Sequence, residues 1–131
     1  MIYGTGIDIV EVQRMANIIA RWGKRFVDRV FSPGEIEYCH KRALPTMHYA
    51  ARFAAKESLL KSLGIGLGMG LSLKDIEVVS DQRGKPEVRL RGGAEGMLRN
   101  LGVSAVHLSL SHTRHSATAV VILEKVGSSH A

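Results

Sequence analysis

Several kinds of stabilising chemistry are scarce in this sequence. One cysteine, Cys39, stands among 131 residues, so no intrachain disulfide is possible and a reducing cytoplasm is the expected setting. Aromatic residues make up only 5% of the chain. That scarcity, and the lack of a recognised reading motif, count against a nucleic-acid partner. No apolar run approaches the roughly 20 residues that a membrane-spanning helix needs, so no membrane partner is expected. The first residues, Met1 to Gly6, show neither a basic leader nor the core of a signal peptide.

What remains is 45% apolar and 23% charged, enough to build a core and stay in solution. The length suits one domain, expected over residues 1–125, with a flexible tail over 126–131. Eighteen Lys and Arg against twelve Asp and Glu leave a net charge of +6. A basic surface favours polyanions: nucleic acid, a phosphorylated cofactor or an acidic protein. Charge spread evenly would serve solubility alone.

The pattern along the chain predicts helices first and strands after them, an α+β domain. Ile2 to Asp8 reads as a short strand, whose glycines Gly4 and Gly6 let another backbone or a ligand come close. A helix is predicted from about Val10 to Trp22, with Gly23 as a stop or break. Ser32-Pro33-Gly34-Glu35 carries the marks of a capped helix start, and that helix runs to about Arg42. A third helix is predicted from about Thr46 to Leu63, ending at Gly64. From Gly64 to Gly70 every second residue is glycine, which makes a loop. Strands are expected at Asp75 to Val79 and Glu87 to Leu90, joined by a hairpin loop over 81–86. A short helix from Gly93 to Leu101 and strands at Ala105 to His112 and Ser116 to Glu124 complete the chain.

Glu57 is the clearest anomaly. On a helix it shares a face with Tyr49, Ala50, Phe53 and Leu60, where an unpaired carboxylate is costly. It is either half of a salt bridge or a metal-binding or catalytic carboxylate. Asp8, where a strand passes into a helix, is either a helix cap or a partner for Glu57. Two such carboxylates with basic residues nearby suit Mg²⁺ shared with substrate phosphates. Arg52, Lys56 and Lys61 are the basic residues around Glu57. Lys61 follows it by four residues, the order that favours a helical ion pair, or else faces a leaving phosphate. The glycine loop could bring N–H groups to phosphates, but it lacks the ending of a P-loop.

Gly6-Ile7-Asp8-Ile9-Val10 resembles the first signature of the short, bacterial holo-[acyl-carrier-protein] synthases, a family of 4′-phosphopantetheinyl transferases. Arg52-Phe53-Ala54-Ala55-Lys56-Glu57-Ser58, with Lys61 beyond, resembles the second signature. Gly84-Lys85-Pro86 and His107 to Thr113 are similar to the family's hairpin and late strand. The order and spacing hold over residues 1–124. Ile65 departs from the pattern, standing where many relatives are expected to have a small polar residue.

The resemblance implies an α+β phosphopantetheinyl transferase fold, with N-terminal helices packed on an antiparallel sheet. It implies a homotrimer with the active site between neighbouring subunits. Coenzyme A would be the donor and a serine of an acidic acyl carrier protein the acceptor, in fatty acid biosynthesis. Asp8 and Glu57 would hold Mg²⁺, and Lys61 would serve the leaving phosphate. Arg52, Gly64, Gly66, Gly84, Lys85 and Pro86 would line the nucleotide end, with His107 reaching it from the adjacent subunit. The first helix offers a carrier-protein surface: Arg14 and Arg21 share a face beside Ile18, and Arg25 joins them if the helix continues through Gly23. Val106, Leu108 and Leu110, with Val120 and Ile122, are expected to leave an apolar sheet face for the other subunits. The rival readings are a small nucleic-acid-binding protein and a Mg²⁺-dependent nucleotide hydrolase.

Overall fold

The computed structural model describes residues 1–65 and 70–126. Strand β1 (Ile2–Glu11) leads into helices α1 (Val12–Trp22), α2 (Lys24–Val30), α3 (Pro33–His40) and α4 (Pro45–Leu63). Strands β2 (Ile76–Ser80) and β3 (Pro86–Leu90), helix α5 (Gly92–Asn100) and strands β4 (Ala105–His112) and β5 (Ser116–Glu124) follow. One antiparallel sheet has the order β1-β5-β4, and β2-β3 is a separate hairpin. No described helix is long and apolar enough to cross a membrane.

Two expectations about the first helices need correction. The opening strand runs on to Glu11, and α1 starts at Val12, not near Val10. Val10 lies opposite Ala117 and is buried in the sheet, which holds the chain extended past the point where helical periodicity begins. Beyond α1, Gly23 takes φ 58° and ψ −141°. That conformation ends one helix, and α2 begins at the next residue, a helix not foreseen from the pattern. The expected cap of α3 is present as a reciprocal pair. Ser32 Oγ accepts from the Glu35 N–H at 3.2 Å, and Glu35 Oε1 accepts from the Ser32 N–H at 2.9 Å.

Helix α4 lies across one face of the sheet, and small residues let it come close. Directly opposed residues on antiparallel strands share a face. Gly4, Gly6, Asp8 and Val10 stand opposite Leu123, Val121, Ala119 and Ala117, all buried against the helix. A Cβ on Gly6 would sit 1.9 Å from the Ser58 carbonyl oxygen, and one on Gly4 would sit 2.1 Å from that of Ser62. The expected close approach of another backbone is therefore that of α4.

The expected apolar sheet face mixed two opposite faces. Val106, Leu108 and Leu110 oppose Leu123, Val121 and Ala119, so they turn toward the core. Val120 and Ile122 lie on the other side, opposite Ile7 and Thr5. It is Ile7 and Ile9, 63% and 68% exposed, that join them in the uncovered patch.

A buried polar network ties the helices to the hairpin. Glu35 pairs with Lys56 at 2.8 Å, both fully buried. Ser32 Oγ donates to Glu77 Oε2 at 2.6 Å, and Arg91 donates to Glu77 Oε1 at 2.7 Å. Lys56 thus belongs to the core and does not face Glu57. Cys39 is also buried, and desolvation pushes its thiol up to about 12.

Candidate active site

Asp8 projects from β1 toward α4, where Glu57 and Lys61 stand one turn apart. Lys61 Nζ donates to Asp8 Oδ1 at 2.8 Å and to the Ile7 carbonyl at 3.1 Å. Of the two readings of Lys61, the helical pair with Glu57 gives way to a bridge between elements. Glu57 is half-buried. Burial raises its pKa above the ordinary glutamate value, the Asp8 charge raises it further, and Lys61 opposes both. Lys61 is held protonated to higher pH, first by its hydrogen bond to Asp8 and then by that residue's charge.

Two mutually repelling carboxylates at an accessible joint suit a hard divalent cation. Among the described residues no cluster of three or more His, Cys, Asp or Glu is assembled for a metal. A cation between Asp8 and Glu57 would therefore draw on water and phosphate oxygens, which is the habit of Mg²⁺.

Arg52 is only 3% exposed, yet it borders a cavity of about 330 Å³. Its guanidinium lies 4.0 Å from the Tyr38 ring, and that of Arg42 lies 3.9 Å from the same ring. Arg52 Nε is buried without a hydrogen-bond partner. A buried, unspent guanidinium donor at the wall of a basic cavity suits a phosphate oxygen. Burial would raise the Tyr38 pKa, but hydrogen bonds with Arg42 and Ser80 and the charge of Arg52 outweigh it and lower the value. Lys41 and Arg42 line this cavity too and were missed in the sequence. The available signal was a basic dipeptide directly after a well-capped helix.

A second cavity, of about 300 Å³, brings Lys85 and Pro86 of the hairpin to His107 of β4. Gly84 turns the chain there with φ 83°, and Asp81 Oδ1 accepts from the N–H groups of Arg83 and Lys85 at 2.8 and 2.9 Å. His107 Nε2 lies 2.9 Å from Glu124 Oε1, a contact that lowers the Glu124 pKa. His107 opposes Ile122, whereas Asp8 opposes Ala119, so the two side chains leave opposite faces of the sheet. Within one chain the Asp8–Glu57 pair and the His107 cavity are therefore separate. Gly64 ends α4 in the left-handed conformation at φ 76°, as its place after Leu63 suggested. Gly66 lies outside the described residues.

On α1, Arg14 and Arg21 are exposed and Ile18 is half-buried, while Met15 is fully buried on the opposite side. The Arg21 guanidinium lies 5.2 Å from the Trp22 ring. Arg25 does not extend the stripe by helical repeat, because Gly23 interrupts the helix. It lines a cavity of about 550 Å³ with Trp22, Phe26 and Arg29 instead. Trp22 and Arg29 were not singled out in the sequence, where nothing showed that a second helix would turn back toward the first.

Comparison with known proteins identifies the family. The family model for the 4′-phosphopantetheinyl transferase superfamily matches residues 4–121. The holo-[acyl-carrier-protein] synthase of Syntrophus aciditrophicus is 58% identical over 124 residues, covering 95% of this chain and 97% of its own. The crystal structure of the holo-[acyl-carrier-protein] synthase from Neisseria meningitidis superimposes with a TM-score of 0.89 at 34% identity, over 95% of this chain and 100% of that one. The Bacillus anthracis synthase, solved in complex with CoA (3′,5′-ADP), gives a TM-score of 0.79 at 35% identity, over 96% and 99% of the two chains.

Proposed function

The chain belongs to the 4′-phosphopantetheinyl transferase superfamily, and from that premise we infer that it acts as a holo-[acyl-carrier-protein] synthase. It transfers the 4′-phosphopantetheine group of coenzyme A to a serine of apo-acyl carrier protein and releases adenosine 3′,5′-bisphosphate. Neither rival reading, nucleic-acid binding or nucleotide hydrolysis, draws support from the relatives.

The observation that carries the mechanism is the meeting of Asp8, Glu57 and Lys61 where β1 crosses α4. The serine hydroxyl forms a bond to the pantetheine-bearing phosphorus, and the bond from that phosphorus to the bridging oxygen breaks. Charge then develops on the departing nucleotide phosphate. Lys61 is placed to neutralise it, on the same joint as the two carboxylates. Asp8 and Glu57 would hold Mg²⁺, which neutralises the diphosphate when bound. The serine proton passes to a base at the same joint, for which Glu57, Asp8 and a water held there are the candidates. Arg52, with Lys41 and Arg42, receives the phosphate-bearing end of the nucleotide. Gly64 and the Gly84-Lys85-Pro86 turn would line the rest of it.

A homotrimer is the active unit we propose. Two observations support it. Ile7, Ile9, Val120 and Ile122 form an uncovered apolar patch, which closed symmetry would bury. His107, which shares a cavity with Lys85 and Pro86 of the hairpin, leaves the sheet on the face away from Asp8, so it would reach a nucleotide held by a neighbouring subunit. The basic stripe of Arg14 and Arg21 beside Ile18, with Arg25 across the Gly23 break, is the docking surface for an acidic carrier protein. A single domain over residues 1–125, working in the cytoplasm in fatty acid biosynthesis, completes the reading.

The experiment is incubation with coenzyme A, Mg²⁺ and an apo-acyl carrier protein. Mass spectrometry should show the carrier gaining one phosphopantetheine. An unchanged carrier mass, with coenzyme A intact, would remove the assignment.

A further inference from the structure

Three walls of the basic cavity meet at one buried ion pair. Helix α3 and the turn after it supply Tyr38 and Arg42, α4 supplies Arg52, and β2 supplies Val79 and Ser80. Glu35 is bonded to all three elements. Its Oε1 accepts from the Ser32 N–H at the head of α3 and from Lys56 Nζ, one helical turn beyond Arg52. Its Oε2 accepts from the Val78 N–H at 2.9 Å, next to Val79 in β2. Lys56 gives its remaining donors to the carbonyls of Leu73 and Ile76, the second of these at the start of β2.

Burying a carboxylate and an ammonium is expensive, and apolar residues of similar volume often hold a core as well. Apolar packing does not fix three elements through directed bonds. Neither Glu35 nor Lys56 lines the cavity, so neither touches its contents. Their bonds join the elements that carry the cavity walls. Recognition of a phosphate by guanidinium groups tolerates errors of only about 0.5 Å in their placement.

We propose that Glu35 and Lys56 are positioning residues for substrate selection. They hold Arg42 and Arg52 at the spacing that accepts a nucleotide bearing a phosphomonoester on its ribose. This inference rests on the reading that the cavity receives the nucleotide end of coenzyme A.

The test compares coenzyme A with 3′-dephospho-coenzyme A in steady-state transfer, and 3′,5′-ADP with 5′-AMP in calorimetry. The variants are Glu35→Gln/Lys56→Met, Glu35→Gln alone, Arg42→Gln and Arg52→Gln, each assayed below its own melting temperature. Glu35→Gln keeps the size and one acceptor, so it supplies the readout should the double variant fail to fold. In the double variant KM for coenzyme A should rise about tenfold or more, a loss of about 1.4 kcal/mol or greater. KM for the dephospho compound should barely move, and kcat should change far less than KM. The preference for 3′,5′-ADP over 5′-AMP should fall in parallel. If Glu35 and Lys56 variants keep the wild-type preference while Arg42 and Arg52 variants lose it, the ion pair is merely structural and the proposal fails. If the arginine variants keep it as well, or the wild type shows none, the nucleotide reading of the cavity fails too.

Discussion

Lys61 Nζ reaches across from α4 to Asp8 Oδ1 at 2.8 Å, so the lysine neutralises a carboxylate on another element and leaves Glu57 on its own helix unpaired. The Glu57 pKa is raised, by burial first and by Asp8 second, with the Lys61 charge opposing both. A carboxyl whose pKa is raised on folding contributes stability when protonated, and loses it as pH rises through the folded-state value. In EDTA, Glu57→Gln should therefore melt higher than the wild type at neutral pH, by about 2 °C or more. The gap should close as pH falls below the ordinary glutamate value of about 4.3. Equal melting at pH 7 and pH 4 would contradict the strained carboxylate.

The same residues should govern turnover. Asp8→Asn, Glu57→Gln and Lys61→Met are each expected to reduce kcat at least about a hundredfold while far-ultraviolet circular dichroism is unchanged. EDTA should silence the wild type, and Mg²⁺ should restore it. Full turnover in EDTA would remove the metal from Asp8 and Glu57.

Gly6 lets β1 lie against α4, and a methyl there would meet the Ser58 carbonyl oxygen at 1.9 Å. Gly6→Ala should cost about 1–3 kcal/mol of stability through overpacking. It should also lower transfer more than a Gly96→Ala control, whose added Cβ meets nothing within 4 Å. Equal effects of the two would mean that the strand–helix approach does not position Asp8.

Charge reversal at Arg14 and Arg21 should raise KM for the carrier protein about tenfold or more and leave coenzyme A affinity nearly unchanged. Salt should weaken carrier binding more in the wild type than in the variant, since exposed charges are screened over about 10 Å at 0.1 M. A variant that loses coenzyme A affinity would transfer the stripe to the nucleotide site.

A shared site has its own signature. Glu57→Gln and His107→Ala trimers, dissociated, mixed and reassembled, should be more active than the average of the two treated separately. Subunit exchange confirmed by native mass spectrometry without a gain in activity would place the site in one chain or remove His107 from it. A monomer in sedimentation would end the trimer reading directly.

Much of this was legible from the amino-acid pattern, for identifiable reasons. Alternation from Ala105 to His112 marked β4, and Ser32 with Glu35 announced a helix start, because both signals are local. Gly4 and Gly6 were recognised as a close-approach site, but only folding reveals Ser58 and Ser62 as what approaches. Val10 was read as helical because its sheet partner, Ala117, lies more than a hundred positions away. The two sides of β5 were confused for the same reason, since register with β1 and β4 decides which side is covered. Lys56 was grouped with the site by proximity to Glu57. One step along a helix turns a side chain by about 100°, and that turn carries it into the core.

The strand order β1-β5-β4 places the last-made strand between its two neighbours. A chain emerging from the ribosome must therefore keep β1 and β4 apart and unpaired until residues 116–124 arrive. Asp8 has no β-strand backing before then, since its ladder partner is Ala119. Long-range pairing of this kind slows folding and leaves edges open to misassociation. The strand that carries Asp8 thus gains its ladder partner only late in synthesis.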